Sequence, residues 1–299
     1  MKRKTIFTAL LLCVTLYAPL SLFGQDFEMD GTVLVKYRGN AANVAIPEGV
    51  TDIGRFAFYR CSSLTSVTIP ASVTYLELGV FAECSNLINV TIHTGVTSIG
   101  HFTFNQCSSL TSITIPPSVT SIDVGTFSSC ESLTNITIPL SVISIEYCAF
   151  AGCSSLKSIT IPSSVTAIGG SAFYNCNSLA SITIPSSVTS IGYCAFFSTA
   201  WLDMQPDGLV YVGKVLYTYK GTMPANTVIN NIRADTIGIA DGAFYRCDSL
   251  ASITIPSSVA FIGEGAFSEC DNLKIVTLSR RTGIGEDAFP ATAQITYSD

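Results

Sequence analysis

One phrase recurs along this chain. Residues 107–119 read CSSLTSITIPPSV, and close variants start at Cys61, Cys153, Cys176 and Cys247. Phenylalanine keeps the count. Phe58, Phe81, Phe104, Phe127, Phe150, Phe173 and Phe196 follow one another at a strict interval of 23, Phe244 and Phe267 resume it, and Phe289 comes one residue early. A period of this length marks a unit too small to bury its own apolar edge, so successive units must stack and share a continuous core.

Within one unit the apolar positions are Phe104, Cys107, Leu110, Ile113, Ile115, Val119 and Ile122. Leu110-x-x-Ile113-x-Ile115 fits the L-x-x-L-x-L signature of leucine-rich repeats. Alternation puts both isoleucines on one face and Ser112 and Thr114 on the other. Pro116, like Pro162, has no N–H for a ladder and marks the strand's end. The following SVTSIG makes a second short extended segment, and AFxxC returns the chain through a tight turn or a 3₁₀ piece. The expected fold is mainly β, a leucine-rich-repeat solenoid of about ten 23-residue coils. At ~4.8 Å per coil it would be a rod or arc of roughly 45–50 Å.

The repeated phrase, in outline CSSLTSITIPSSVTSIGxxAF, resembles the repeat of the BspA-like, treponemal-type leucine-rich-repeat surface proteins. The likeness covers residues 44 to 290 apart from one interruption, and it recurs turn after turn. His93 stands where a proline belongs, Thr199 where a cysteine belongs and Thr236 where a valine belongs. The resemblance implies an exported protein associated with adhesion to host proteins and to other cells.

Lys2, Arg3 and Lys4 precede an apolar run from Ile6 to Phe23, which reads as a secretory signal peptide over 1–24. Its removal takes away three bases and no acids and lowers the formal charge from −6 to −9. Between Cys61 and Gly213 the only basic side chain is Lys157. Nucleic acids and anionic membranes need clustered lysine and arginine, so neither is an expected partner. Eleven cysteines in an exported chain would ordinarily suggest disulfides. Six of them, Cys61 to Cys176, fall at one repeat position, which reads as a ladder of small buried thiols.

The period breaks once. Phe196 and Phe244 are 48 residues apart, where two periods would be 46. The intervening QPDGLVYVGKVLYTYKGTMP predicts a hairpin, with strands Leu209–Val212 and Lys214–Tyr219 pivoting near Gly213. Its second half echoes the start of the chain: GKVLYTYKGT at 213–222 parallels GTVLVKYRGN at 31–40, and each leads to FYRC. Such a hairpin is expected to open a solenoid block. The organisation is then a cap over 25–43, repeats over 44–198, a hairpin insertion over 199–231, and further repeats with a C-terminal cap over 232–299. AQITY at 293–297 reads as the last strand.

Catalytic and metal chemistry find little material. His93 and His101 lie in one coil without the orienting carboxylate that a serine triad needs. Cys148 and Cys153 lack partners at ligand spacing. Asp203 and Asp207 match no calcium loop and read as solvated turn acids. No enzyme activity and no cofactor are expected. What remains is surface. Ser112, Thr114, Asn135, Thr137, Ser158, Thr160, Ser181 and Thr183 form two outward rows, and Trp201, Tyr211, Tyr217 and Tyr219 sit at the interruption. These are the candidate binding residues. The bland reading is a soluble sheet face with Trp201 as a structural anchor. The functional reading is a secreted or cell-surface protein that binds an extracellular or host protein, the alternative being a surface glycan.

Overall fold

The computed structural model describes residues 26–298, so the leader expected at 1–24 lies outside the described residues. The chain winds into a β-solenoid of about 12 turns of about 23 residues. This exceeds the ten expected, because each hairpin supplies a strand that completes a turn of its own.

Each regular turn has three sides. The first is the Ser-Ile-Thr-Ile strand, as at Ser112–Thr114, which pairs in parallel register with the next coil (Ser112 with Asn135, Thr114 with Thr137). Ile113 and Ile115 are buried, as the alternation requires. The second side is a two-residue strand, Ser121–Ile122, pairing with Ser144–Ile145. Between these two sides runs a serine ladder. The hydroxyls of Ser141, Ser164 and Ser187 donate at 2.6, 2.6 and 2.7 Å to the carbonyls of Val119, Val142 and Val165 in the preceding coil. Glycine closes the corner. A Cβ at Gly192 would fall on the backbone of Gly169 and Gly170, so the coils approach there only without a side chain.

The third side is the AFxxC stretch, which forms a tight turn. Two residues, two before and two after the core Phe, take left-handed φ: Phe102 (55°) and Gln106 (58°) in one coil, Gly125 (61°) and Ser129 (58°) in the next. This alternation divides the N–H groups. Phe102, Phe104 and Gln106 donate to Val124, Thr126 and Ser128 of the following coil, while Asn105 and Cys107 donate three residues back. The turn is therefore also an inter-coil ladder, which keeps its buried backbone paired.

The core is one cluster running through all turns. Its spine is a stack of rings from Tyr37 to Phe196, with centroids 5.0–5.6 Å apart. A second stack runs from Phe244 through Phe267 to Phe289. Beside the rings lies the expected cysteine ladder. The thiols of Cys84, Cys107, Cys130, Cys153, Cys176 and Cys270 each donate to the core Phe carbonyl of the preceding coil, for example Cys130 to Phe104 and Cys153 to Phe127, both at 3.2 Å. That carbonyl already accepts the N–H of its own coil's cysteine, so the thiol satisfies its second lone pair. Burial pushes the Cys107 thiol up to about 12, and Cys130 and Cys153 are also well raised. These groups stay protonated and poorly nucleophilic near neutrality. A thiol reagent is expected to leave them unmodified in the native protein and to titrate them on denaturation without reductant.

Two hairpins interrupt the regular winding. Phe27–Asp30 pairs antiparallel with Val33–Tyr37, and Gly208–Val212 pairs antiparallel with Val215–Lys220, each with one register shift. Gly31 and Gly213, both at φ 60°, make the turns. The second strand of each hairpin then pairs in parallel with the first short strand of the following coils, Leu34 with Ile53 and Leu216 with Ile239. The sequence echo is thus a structural one. The internal hairpin is nevertheless part of the stack. Asp241 N–H donates to Ile191 O across it, and strand Thr227–Ile229, inside the span read as insertion, already pairs with Leu250–Thr254. The last strand, Gln294–Tyr297, lies against Ile275–Leu278.

Two departures from the repeat have local consequences. Thr199 donates to Phe196 O at 2.8 Å and accepts from Leu202 N–H, capping the four-residue helix Ala200–Asp203. Thr236, at a valine position, is fully buried with an unpartnered hydroxyl. An unsatisfied buried hydroxyl costs about 1–3 kcal/mol. Thr236→Val is therefore expected to stabilise the protein by about 1–2 kcal/mol in a denaturant titration; unchanged or lowered stability would refute that account.

Candidate functional site

The outward strand positions are all exposed: Ser112, Thr114, Asn135, Thr137, Ser158, Thr160, Ser181 and Thr183 occupy one face. The face is not continuous. Ser112–Thr114 pairs with Asn135–Thr137, and Ser158–Thr160 pairs with Ser181–Thr183, but these are two separate sheets. A cleft of about 440 Å³ opens between them, lined by Asn135, Thr137, Leu140, Ser158 and Thr160 among others. Leu140 is 75 % exposed and the nearby Ile143 57 %. These two apolar residues were missed on the sequence. The signal was present: this coil reads PLSVI, where its neighbours read PPSVT and PSSVT. Thr114 lies outside that lining, and Thr114→Ala is expected to change stability by no more than about 0.5 kcal/mol.

The aromatic candidates at the interruption divide. Tyr217 does not belong to a binding surface: it is 4 % exposed, its ring meets Phe196 edge-on at 5.5 Å, and its hydroxyl accepts Phe196 N–H at 2.9 Å. Two strand residues beside it face outward less than expected for the same reason, since the hairpin is packed into the stack. Tyr219 is half-buried against the core. Tyr211 is half-buried, accepts Arg233 N–H at 3.2 Å and carries that residue's guanidinium over its ring at 4.7 Å. Trp201 is also half-buried, its ring 5.5 Å from that of Phe196, and its backbone N–H donates to Leu179 O.

A second surface lies along the tight turns. Phe56, Phe102, Tyr147 and Tyr193 are 40, 40, 56 and 48 % exposed. They occur on alternate coils, and each ring lies over a glycine of the next: Gly79, Gly125, Gly170 and Gly242. Tyr59, Tyr174, Phe197 and Tyr245 are the residues directly after the core Phe. Tyr59 and Tyr245 head matching clusters. In each, a tyrosine hydroxyl and the next arginine both donate to one glutamate, Tyr59 and Arg60 to Glu83, Tyr245 and Arg246 to Glu269. The arginine holds each carboxyl below its ordinary range. A depression of about 450 Å³ lies between Phe56 and Phe102, and a longer groove of about 570 Å³ crosses the junction beside Tyr147 and Tyr193.

His93 and His101 are exposed, and among the described residues no group of three or more His, Cys, Asp or Glu side chains could hold a metal. No helix of the described residues is long and apolar enough to cross a membrane.

Stacked parallel strands, tight-turn ladders and a 23-residue period define a leucine-rich-repeat solenoid. The sequence profile described as "BspA type Leucine rich repeat region" matches residues 36–154, 120–210 and 217–298. The chain belongs to that family, whose members are typically surface proteins engaged in protein interaction and are generally non-catalytic. Among solved structures, a leucine-rich repeat protein from Bacteroides ovatus is 25 % identical, with a TM-score of 0.50 over 89 % of this chain and 76 % of that one. A leucine-rich cell surface protein from Faecalibacterium prausnitzii is 26 % identical, with a TM-score of 0.44 over 91 % and 93 %. The leucine-rich repeat protein of T. pallidum is 19 % identical, with a TM-score of 0.36 over 90 % of each chain. No curated protein matches this chain.

Proposed function

We propose that this protein is exported and acts at the cell surface as a non-catalytic adhesion protein, binding an extracellular or host protein through its strand face. The carrying observation is the break in that face. A regular hydroxyl-rich sheet would serve solubility alone, but here the sheet opens beside the exposed Leu140, and the exposed Ile143 follows three residues on in the same coil. Exposed apolar side chains rimmed by polar ones are the usual anatomy of a protein-binding patch. Family membership supports the same reading.

The test is binding of the protein to a panel of extracellular-matrix proteins and, in parallel, to a glycan array. Saturable protein binding is expected, weakened at least tenfold by Leu140→Ser with Ile143→Thr, which restores the repeat. Binding that ignores this double change would remove the strand-face cleft from the reading. Binding confined to the glycan array would favour the carbohydrate alternative.

A further inference from the structure

The groove across the junction has its own chemistry, distinct from the strand-face cleft. Its ridges are rings: Tyr147 and Tyr193 stand half-exposed, and Tyr245 meets Tyr193 edge-on at 5.8 Å. Backbone forms much of the floor, at Gly170, Gly242 and Gly265. Gly242 and Gly265 sit at φ 59° and 56°, and a Cβ at Gly242 would strike the Tyr193 ring, so the floor stays open because these positions are glycine. The alternation of ring and glycine fails here. Beyond Tyr193 come Gly242, Gly265 and Asp287 with no further ring, which lengthens the depression. From Tyr147 to Asp287 it crosses five coil steps, about 24 Å at ~4.8 Å each, the length of roughly seven extended residues.

The charge is one-sided. Asp241, Glu264 and Asp287 line the groove, and among the described residues no lysine or arginine does. The cation beside it, Arg246, is already held by Glu269 at 2.6 Å. Burial raises the Asp241 carboxyl above its ordinary range and the Glu264 charge adds to this, as expected where negative charge lacks a counter-charge. Tyrosine rings of this chain already carry guanidinium groups, at 5.0 Å over Tyr59 outside the groove and at 5.2 Å over Tyr245 on its edge. Ring faces and carboxylates together attract a cation on two counts. A neutral sugar stacks on rings and donates its hydroxyls to carboxylates, but it leaves their charge unneutralised.

We infer that this groove binds an extended, lysine- or arginine-bearing segment of a protein partner, seating its cations over Tyr147 and Tyr193 and beside Asp241, Glu264 and Asp287. The site does not depend on the strand-face cleft, and its test leaves that reading untouched.

The experiment titrates the full chain against a labelled eight-residue peptide alternating lysine and glycine, with a glutamine–glycine peptide as control, at low and at 0.5 M salt. The lysine peptide is expected to bind at least tenfold more tightly than the control and to lose at least tenfold in high salt, as a charge-driven contact should. Glu264→Gln with Asp287→Asn, which keeps side-chain shape, should weaken it at least fivefold. Removing two carboxylates elsewhere, Glu48→Gln with Glu131→Gln, should not, and neither should Leu140→Ser with Ile143→Thr. Tyr193→Ser should weaken it as much as the carboxylate pair does. Equal binding of the two peptides, no binding at millimolar concentration, or equal loss in both carboxylate pairs would overturn the inference. So would a neutral oligosaccharide that binds here independently of salt and displaces the peptide.

Discussion

Replacing Phe127 by alanine is expected to destabilise the protein by about 3–5 kcal/mol, the range for emptying a fully packed aromatic site. Phe127 is fully buried, with stacked rings on both sides, Phe104 at 5.6 Å and Phe150 at 5.4 Å. Its removal leaves a ring-sized cavity that neither neighbour can fill, because each is held in its own coil by backbone ladders. A denaturant titration with far-UV circular dichroism measures the loss. Because each coil touches only its neighbours, the damage should begin locally, which hydrogen exchange would register as early loss of protection in the adjoining turns. A loss below 1 kcal/mol would mean that the ring stack is not the spine of the core.

Tyr217 is expected to give the second large effect, and its two substitutions separate two causes. In a regular coil the core Phe N–H donates to a carbonyl of the next turn, as Phe173 does to Ala195 at 2.8 Å. At the junction the Tyr217 hydroxyl takes that place and accepts Phe196 N–H at 2.9 Å. Tyr217→Phe keeps the ring and leaves a buried N–H unpaired, at a cost of about 1–3 kcal/mol. Tyr217→Ala also empties the ring site and should cost about 3–5 kcal/mol. If the two variants were equal, the hydroxyl would be the whole of the residue's contribution. If Tyr217→Phe were neutral, Phe196 N–H would have another partner and the junction would be held by packing alone.

The winding was readable because it is local and repeated. Ile113 and Ile115 alternate with hydroxyls, Pro116 forbids continuation of the ladder, and the interval of 23 places every Phe above the last. The parallel between residues 31–40 and 213–222 was readable for the same reason, and both hairpins begin a run of parallel strands. The serine ladder was not foreseen, since the second serine of PSSV looks like any turn serine until a valine carbonyl lies 2.6 Å away. Nor was the fate of Tyr217. In a strand of alternating character its ring could face outward as readily as Tyr219, and only the neighbouring coil decides.

The candidate surfaces divide along the same line. The exposed rows at Ser112 and Thr114 follow from alternation, a property of one strand. The cleft at Leu140 and the groove beside Tyr193 are properties of several coils at once. The cleft exists because adjoining strands fail to pair, and the groove because a ring is followed by two glycines and an aspartate in successive turns. The sequence by itself determined the repeat, the inward and outward sides of each strand and the need to stack, because each of these arises within one period. Only the tertiary structure decided where neighbouring coils separate, which tyrosine is buried and which carboxylates share a groove, because those depend on contacts between residues of different coils.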